Sequence, residues 1–573
     1  MTKNVSKCRE AILLVLILST SLIIACPGCK KSPSTVSPPP TPPVSTSFDI
    51  ISQSINGRVF NSTQALYGVS NKPIIEVFFS DKVDRNTVPS AITFYNKSQA
   101  SVSVPFAVTY QRGDSSVLVT PTTNLNYLDE YVFGLSTAVK SVNGKNASGR
   151  ADLDFRTQID SSDKFAQISD SALLDLVEQQ TFKYFWDFGH PVSGLARERN
   201  TSGETVTTGG SGFGVMAIIA AINRGFITKQ QGLTRLQTMV GFLKNTAQKF
   251  HGAFSHWLNG TTGAVVPFGQ KDDGADIVET SYMMMGLLSA RQYFNGSDPA
   301  ESSLRTDINT LYNNVDWDFF RQGQNVLYWN WSPNYGFAIN VPVQGWNETL
   351  ITYVIAASST THGIQRAVYE NGFAKNGAIR NGNSYYGYQL PLGPDLGGPL
   401  FFEQYTFQGV NPNGLTDQYA NYQTQTVNHT KINYEWCKAD PKGWYGYSDQ
   451  CWGLTASDVP GGYYASAPGV NDDKGVIAPT AALSSMPYTP TESMKALKFF
   501  YYKLGDKLWG QYGFYDAFKL QDAWFSNTYL AIDEGPIIVM IENYRSGLLW
   551  NLFMSCPEIK AGMQKLGFQS PYL

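Results

Sequence analysis

Charged residues are scarce in this chain, and their scarcity argues against several classes of function. Only 16% of the 573 residues are Asp, Glu, Lys or Arg, and the formal net charge is -3. The sequence therefore offers no basic face for nucleic acid and no acidic solvating tail. We expect neutral partners.

Histidine and cysteine are also few, which argues against metal and redox chemistry. The five histidines show no metal-ligand spacing on one helical face. Outside Cys26 and Cys29 no pair of cysteines has the CxxC spacing. No phosphate-binding P-loop and no GxGxxG after a strand is present, and Asp272, Asp273 and Asp276 lack the loop pattern of a calcium hand. We expect neither a metal nor a cofactor. The histidines are His190, His251, His256, His362 and His429.

Cys437 and Cys451 leave two interpretations open. In an oxidising compartment they can close a short loop, and a disulfide there would contribute about 3 kcal/mol in the chain-entropy model. They can equally be buried thiols.

The chain has one long apolar run, from Ala11 to Ala25, and it follows Lys3, Lys7 and Arg9. The run is short for a membrane span and is typical of an export signal over residues 1–25; the alternative is an uncleaved anchor. Its end, Leu-Ile-Ile-Ala-Cys, resembles a bacterial lipobox, which implies that Cys26 carries lipid. No acidic residue follows Cys26, and by resemblance to lipoprotein sorting this favours the outer membrane, with its periplasmic face and the cell surface both open.

Two composition changes mark the next segments. Residues 26–47 are rich in Ser, Pro and Thr and predict a stiff, solvated tether. Residues 48–158 contain short alternating runs separated by Asn, Asp, Gly and Pro, a spacing that predicts a small β-sandwich. The phrases KPIIEVFFSDKVDRNTV and SSVLVTPTTNLNYLDEYVFGL resemble a bacterial immunoglobulin-like domain.

From residue 165 to 573 the helical period dominates, starting with Ser169 as a helix cap. Six times a short glycine- or acid-marked start leads into an apolar stretch, while the segments between them are amphipathic. Six inner helices with outer partners predict an all-α (α/α)6 toroid, in which the inner helices begin at one mouth. An irregular helical bundle is the alternative. The six predicted starts are at 210–214, 274–276, 345–348, 447–449, 475–477 and 532–535.

The second of these starts concentrates three carboxylates: Asp272, Asp276 and Glu279. If the helix includes all three, they project on one face near its N-terminus. The free N–H groups of a helix start also stabilise carboxylates, so simple capping explains the pattern equally well.

Carboxylates at the other starts suggest acid–base chemistry. Glycosidic cleavage needs one protonated carboxyl group and one ionised carboxylate. Glu348 is the candidate acid, because it lies beside Trp346 at the head of an apolar helix where partial desolvation raises a pKa. Asp533 is the candidate base, and Glu534 or Asp516 can serve instead.

Aromatic residues are plentiful, with 12 Trp, 32 Tyr and 33 Phe. Flat rings can stack on sugars or simply fill the core. We predict that substrate contacts come from Asp272, Asp276, Glu279, Trp346, Asn347, Trp444, Tyr447 and Asp449.

Four phrases carry a resemblance to a known family: GADIVETSY, GWNETLITYVIAASS, WYGYSDQCWGLTASD and AIDEGPIIVMIENYRSGLLW. They resemble the bacterial glycoamylase-domain family, and within it glycoside hydrolase family 144, the β-1,2-glucanases. The resemblance implies an (α/α)6 toroid and anomer-inverting hydrolysis of β-1,2-glucan or sophoro-oligosaccharides. It implies that Glu348 is the general acid and that Asp272, Asp276 and Glu279 line the subsites. Internal or terminal cutting stays open.

Two other functions remain: an (α/α)6 hydrolase acting on a different glucan, and a surface glycan-binding lipoprotein without turnover. The crowding of carboxylates argues against a passive binder, because a neutral sugar gains little from groups that must be desolvated. The oligomeric state is open.

Overall fold

The computed structural model describes residues 47–61, 65–99 and 102–573. The predicted export signal, Cys26 and the tether up to residue 46 lie outside the described residues. Within the described ranges no helix combines the length and the apolar character needed to cross a membrane.

The N-terminal domain is a two-sheet sandwich, as the alternating pattern predicts. One sheet has the strand order β2-β1-β4-β7-β6 and the other β3-β9-β8-β5. Neighbouring strands are antiparallel except β3 and β9. Among the described residues the sandwich contains β1 Ile50–Ile55, β2 Arg58–Val59, β3 Leu66–Val69, β4 Ile75–Phe79, α1 Val88–Ala91, β5 Ile92–Asn96, β6 Phe106–Gln111, β7 Ser116–Pro121, β8 Glu130–Leu135 and β9 Ala151–Thr157.

Alternation along the strands places one set of side chains inside the sandwich. Ile75, Val77 and Phe79 are buried while Glu76 and Phe78 between them are partly exposed. The period-2 pattern of the sequence therefore fixes which face forms the core.

The C-terminal domain is a ring of helices. The described residues form α2 Asp170–Trp186, α3 Thr208–Asn223, α4 Lys229–Asn245, α5 Ile277–Tyr293, α6 Pro299–Asn313, α7 Leu350–Ser358, α8 Arg366–Val368, α9 Phe401–Gln404, α10 Tyr422–Ala439, α11 Pro479–Leu483, α12 Pro490–Lys498, α13 Leu504–Leu508, α14 Ala531–Ser546, α15 Leu548–Met554 and α16 Pro557–Leu566.

Inner and outer helices alternate along this domain. The inner ones are α3, α5, α7, α9, α11 and α14; all but α9 bury most or all of their side chains, and α9 buries Glu403 and Gln404. The outer ones are α2, α4, α6, α8, α10 and α12, which expose one face. This arrangement confirms the predicted (α/α)6 toroid.

Contacts between neighbouring inner segments close the ring. They are Gly209 N–H to Glu279 (2.7 Å), Ser281 to Thr352 (2.9 Å), Ile351 N–H to Thr406 (3.1 Å), Gln404 to the Ala481 carbonyl (2.9 Å), Thr480 to the Asp533 carbonyl (2.8 Å), and Gly535 packed on Phe213.

Loops at the mouth carry short strands that hold the helix starts in place. In the described residues of this domain they are β10 Thr205–Thr207, β11 Trp257–Asn259, β12 Val265–Val266, β13 Ala275–Asp276, β14 Leu327–Tyr328, β15 Asn330–Trp331, β16 Pro342–Val343, β17 Ser384–Tyr385, β18 Tyr388–Gln389, β19 Ala456–Val459, β20 Gly462–Ala465, β21 Trp509–Gly510, β22 Gly513–Phe514, β23 Phe518–Lys519 and β24 Trp524–Phe525.

The prediction of the fourth inner helix is wrong. Residues 451–455 after Asp449 are bends and extended chain that lead into β19, and their apolar side chains fill the core next to Cys437. The fourth inner position is taken instead by α9, a single turn that has no long apolar run. Cys437 and Cys451 are buried free thiols, so the structure has no disulfide between them.

Tyr445 joins the two domains. Its ring stacks on Tyr67 of the sandwich with centroids 6.0 Å apart, and its hydroxyl accepts a hydrogen bond from the N–H of Ile159 at 3.2 Å. On the other side, Gln521 accepts a hydrogen bond from the N–H of Tyr445 at 3.2 Å. The sandwich therefore rests on Tyr445, in the loop after α10, next to the turn between β23 and β24.

Helices α3 and α5 approach closely through glycines. A Cβ added at Gly212 would lie 2.3 Å from the Tyr282 carbonyl oxygen, and one added at Gly286 would lie 2.2 Å from the Gly212 carbonyl oxygen. This contact is available only without side chains, and it sets the spacing of the first two inner helices.

We predict that Gly212→Ala lowers the free energy of unfolding by about 1–3 kcal/mol, because the methyl group forces the two backbones apart. Gly241→Ala in α4 is the matched control, since among the described residues no atom outside its own helix turn lies within 4 Å of its Cβ position. That control should be neutral or stabilising by up to about 1 kcal/mol. Denaturant unfolding of both variants tests this, and equal stability of the two would contradict the packing argument.

Candidate active site

Asp276, at the acidic helix start, both caps α5 and contacts other residues of the candidate site. It is the N-cap of α5, and its Oδ1 accepts hydrogen bonds from the N–H groups of Val278 at 2.9 Å and Glu279 at 3.0 Å. Its Oδ2 accepts from Nδ1 of His256 at 3.0 Å and from Nε1 of Trp329 at 3.2 Å. One oxygen therefore holds the helix and the other takes part in the site.

Glu279 and Asp272 flank this cap from different elements. Glu279 is buried one turn into α5, and burial together with the charge of Asp276 raises its pKa. Asp272 lies before the helix, in a turn bridged to Gly269, so the three carboxylates do not share one helical face. Burial and the Asp276 charge raise the pKa of Asp272 to about 6, and Asn330 donates a hydrogen bond to it at 3.0 Å.

His256 supplies positive charge to this group. Burial lowers its pKa, but the charge of Glu279 and the hydrogen bond to Asp276 outweigh burial and raise the pKa to about 9. The imidazole is therefore protonated at neutral pH and stabilises the carboxylates around it.

Glu348 lies at the start of α7, half-buried and facing the same group. Desolvation raises its pKa to about 7, and the charges of Glu279 and Asp276 add to this shift. Near neutral pH its carboxyl group keeps a proton that it can donate.

A second group of acids lies at the start of α14. Asp516 and Asp533 are buried close to each other, and Oδ1 of Asp516 and Oδ2 of Asp533 have no hydrogen-bond partner among the described residues. Burial raises both pKa values, that of Asp533 further with the charge of Asp516. Two close carboxyl groups in such a setting share one proton and carry a single negative charge.

Polar contacts fix this pair. Asp516 accepts a hydrogen bond from the N–H of Asp458 at 2.6 Å, and the Asp458 carboxylate pairs with Arg199 at 3.2 Å. Thr528 also donates a hydrogen bond to Asp458. Glu534 faces inward among buried tyrosines, and burial raises its pKa well above its usual value.

Tyr405 lies between the two groups. Burial raises its pKa, and the charges of Asp533 and Glu348 both add to the rise. Two other rings are open to solvent near the acids: Phe268, 53% exposed against His256, and Tyr463, 47% exposed. Tyr463, Arg199 and Asp458 line a cavity of about 470 Å³ beside the second group. The mouth is thus a concave, acid-lined cleft with an exposed ring at each side.

The structure places some predicted contacts elsewhere. Trp346 is 4% exposed, and its indole N–H donates to Glu403 at 2.8 Å, so its ring lies behind Glu348 and not in the cleft. Asp449 forms an exposed ion pair with Lys495 on α12 at 3.3 Å. Both predictions are corrected: the aromatic neighbour of the acid belongs to the core, and the Asp449 segment is not a helix start.

Asn347 and the two loop aromatics have local partners. Asn347 accepts hydrogen bonds from the N–H and the hydroxyl of Thr349, at 3.0 and 2.6 Å, and so shapes the turn that carries Glu348. Tyr447 donates to Asp473 at 2.8 Å. The Trp444 ring packs against Gly475 and lies between Lys442 and Lys519. None of these contacts joins them to the acids.

Sequence reasoning missed His256, Arg199 and Asp458. His256 and Arg199 come from loops without a pattern, and only folding brings them to the helix starts. Asp458 stands inside the phrase WYGYSDQCWGLTASD, so the resemblance contained its position but gave it no role. Among the described residues no group of three or more His, Cys, Asp or Glu side chains is arranged to hold a metal ion.

Family comparisons match both domains. The Glycoamylase family model, described as "Putative glucoamylase", matches residues 340–557, and the bacterial Ig-like domain model matches residues 59–157.

Three relatives, one curated protein and two solved structures, match longer parts of the chain. An exo beta-1,2-glucooligosaccharide sophorohydrolase (non-reducing end) of Parabacteroides distasonis is 45% identical over 421 residues, which are 70% of this chain and 58% of that protein. The chain thus spans little more than half the length of this curated relative.

Two solved structures are also similar. An endo-beta-1,2-glucanase of Chitinophaga pinensis, in complex with sophorotriose and glucose, is 53% identical with a TM-score of 0.70, covering 71% of this chain and all of that one. A beta-1,2-glucanase of Parabacteroides distasonis is 37% identical with a TM-score of 0.68, covering 88% of this chain and 72% of that one.

The raised pKa of His256 predicts a pH-dependent contribution to stability. Because its pKa rises from 6.5 to about 9 on folding, the contribution is complete below pH 6.5 and is lost as pH rises through about 9. His256→Asn should therefore lower the melting temperature relative to the unmodified chain at pH 6, and this difference should shrink by pH 10. His362→Asn, at an exposed His–Asp pair 3.5 Å apart, is the control and should show little difference at either pH. A His256→Asn difference that is constant with pH would contradict the assignment.

Proposed function

We propose that this chain, which belongs to the glycoamylase-domain family, hydrolyses β-1,2-linked glucan or its sophoro-oligosaccharides by general acid–base catalysis. The observation that carries the proposal is the cleft itself: a desolvated carboxyl group, Glu348, just before the third inner helix, and the buried carboxyl pair of Asp516, from a loop, and Asp533, from the sixth inner helix. The activities for which the Parabacteroides and Chitinophaga relatives are named support the linkage.

Glu348 is the general acid. Its carboxyl group, with a pKa of about 7, donates a proton to the glycosidic oxygen as the bond from that oxygen to the anomeric carbon breaks. The departing sugar leaves as a neutral hydroxyl. Desolvation at the head of α7 is what keeps the proton available at neutral pH.

The pair of Asp516 and Asp533 is the general base. With one shared charge, it can take a proton from a water molecule whose oxygen attacks the anomeric carbon. Our sequence-based choice, Asp533, is one member of the pair, and Asp516 is held by the N–H of Asp458. Glu348 lies at the start of the third inner helix and Asp533 at the start of the sixth, and inversion of the anomeric carbon requires room for a water molecule between acid and base.

The remaining groups bind and polarise the sugar. Asp272, Asp276 and Glu279 offer acceptors to hydroxyl groups, and His256 balances their charge. Phe268 and Tyr463 present open rings on which pyranose faces can stack.

We also propose that the protein is exported and anchored through lipid on Cys26, as the lipobox-like sequence suggests. Incorporation of labelled palmitate into the full chain tests this, and a Cys26→Ser variant that keeps the label would contradict it.

Purified protein should release reducing sugar from β-1,2-glucan in preference to a panel of other α- and β-glucans.

Glu348→Gln should lower kcat by about 10²–10⁴-fold because the amide cannot donate the proton. The unmodified enzyme should lose kcat as pH rises through about 7, where Glu348 loses its proton.

Asp449→Asn is the matched control, since it changes an exposed carboxylate outside the cleft, and it should keep activity. Full activity of Glu348→Gln would overturn the acid assignment. Saturable binding without any product would instead favour a glycan-binding protein, and preference for another glucan would overturn the linkage.

A further inference from the structure

A buried polar network behind Glu348 has no role in the reaction described above. Glu403 on α9 and His429 on α10 are both fully buried. One oxygen of Glu403, Oε1, accepts hydrogen bonds from three groups: Nε1 of Trp346 at 2.8 Å, Nε2 of Gln425 at 2.8 Å and Nδ1 of His429 at 2.9 Å. The other oxygen, Oε2, has no partner among the described residues.

His429 is held as firmly as the carboxylate. Its Nε2 lies 3.0 Å from the Gly398 carbonyl oxygen, which can only accept, so Nε2 carries a hydrogen. Gly397, with φ at +97°, lets the main chain close over the imidazole, since a Cβ there would lie 2.1 Å from the ring. One proton is then held between Nδ1 and Glu403, and the two residues form a net-neutral unit.

The Glu403–His429 pair contacts the loop that carries Glu348, called here the catalytic loop. The contact is made through Trp346, which lies two residues before Glu348. The Trp346 ring is enclosed by Phe373, Phe407 and Tyr422, and its only polar group points to Glu403. On the other side of the acid, the Glu348 carbonyl accepts a hydrogen bond from Thr406 at 2.7 Å. Both anchors belong to the short segment from α9 to residue 408.

We infer that Glu403 and His429 are positioning residues that hold Trp346, and through it the Glu348 loop, at the depth where the acid stays desolvated. The inference rests on the proposed role of Glu348. Burying a carboxylate with one oxygen bare is unfavourable, and apolar residues would fill the space without that loss. The Glu403 carboxylate instead provides one acceptor oxygen that fixes three donor groups. One of these donors, the Trp346 indole, lies on the loop that carries Glu348.

Two variants test the inference on the full chain. Glu403→Gln removes the partner of the His429 proton, and Trp346→Phe keeps an aromatic ring but removes the indole donor. Each should lower kcat about 10–100-fold, since a displacement of about 1 Å can cost that much, with KM changed less than about 3-fold. The loop should also move toward water, so the alkaline limb of the kcat–pH profile should shift to lower pH by about half a unit or more.

The double variant shows whether Glu403 and Trp346 act on kcat through the same hydrogen bond or independently. If both residues act through the same hydrogen bond, Glu403→Gln/Trp346→Phe should lose about as much kcat as either single variant. Trp436→Phe is the matched control: Trp436 on α10 is 6% exposed, and its indole donates to the buried carboxylate of Asp473 at 2.9 Å, away from the Glu348 loop and its anchors. It should leave both kcat and the pH profile within about 2-fold and a few tenths of a pH unit.

The outcomes distinguish this inference from the proposed function. Loss of kcat with an unmoved alkaline limb, or losses that multiply in the double variant, would show a structural role only and overturn the inference. If Glu403→Gln does not fold, Trp346→Phe alone decides by the same two readouts. An unmodified enzyme without turnover, or an active Glu348→Gln, would overturn the proposed function first.

Discussion

The site depends on keeping carboxyl groups away from water. The toroid brings the starts of its inner helices to one mouth, where N–H groups and helix dipoles tolerate negative charge. Acids delivered by several helices then share one concave space, with His256 and Arg199 as the cations in contact with them. Under these conditions not every carboxyl group can be ionised, so some keep their protons at neutral pH.

This constraint divides the acids into roles. Asp276 keeps one oxygen on the helix start and one on His256 and Trp329, so it binds and orients. Glu348 has little support for its charged form, and in the proposed mechanism it is the proton donor. Asp516 and Asp533 resolve their proximity by sharing a proton. In the proposed mechanism the acidic start of α5, the most conspicuous feature of the sequence, is therefore a wall of the cleft, and the acid and base lie near the starts of other inner helices.

Much of the fold was predictable because the spacing of apolar residues along a helix or strand can be read from the local sequence. Apolar helix starts at α3, α5, α7, α11 and α14 can be seen in the sequence, as can the alternating strands of the sandwich. The fourth inner position was not predictable in this way. The helix at this position, α9, is one turn long. The apolar run after Asp449, which was predicted to form the fourth inner helix, packs into the core as extended chain.

The site was predictable only in part, for the same reason. Glu348 and Asp533 stand at helix starts, where position in the sequence indicates position in the ring. His256 and Arg199 reach the cleft from loops, through contacts between residues far apart in the chain. Trp346 shows the converse error: its proximity to the acid in sequence suggested a sugar contact, whereas its indole N–H points into the core toward Glu403.

The most direct test of the account is a carbon-13 NMR titration of the Glu348 carboxyl group, identified by the signal that disappears in Glu348→Gln. We predict that this carboxyl group titrates near pH 7, well above its usual 4.5, because the cleft desolvates it. Titration near pH 4.5 would show a solvated carboxylate and contradict the central claim.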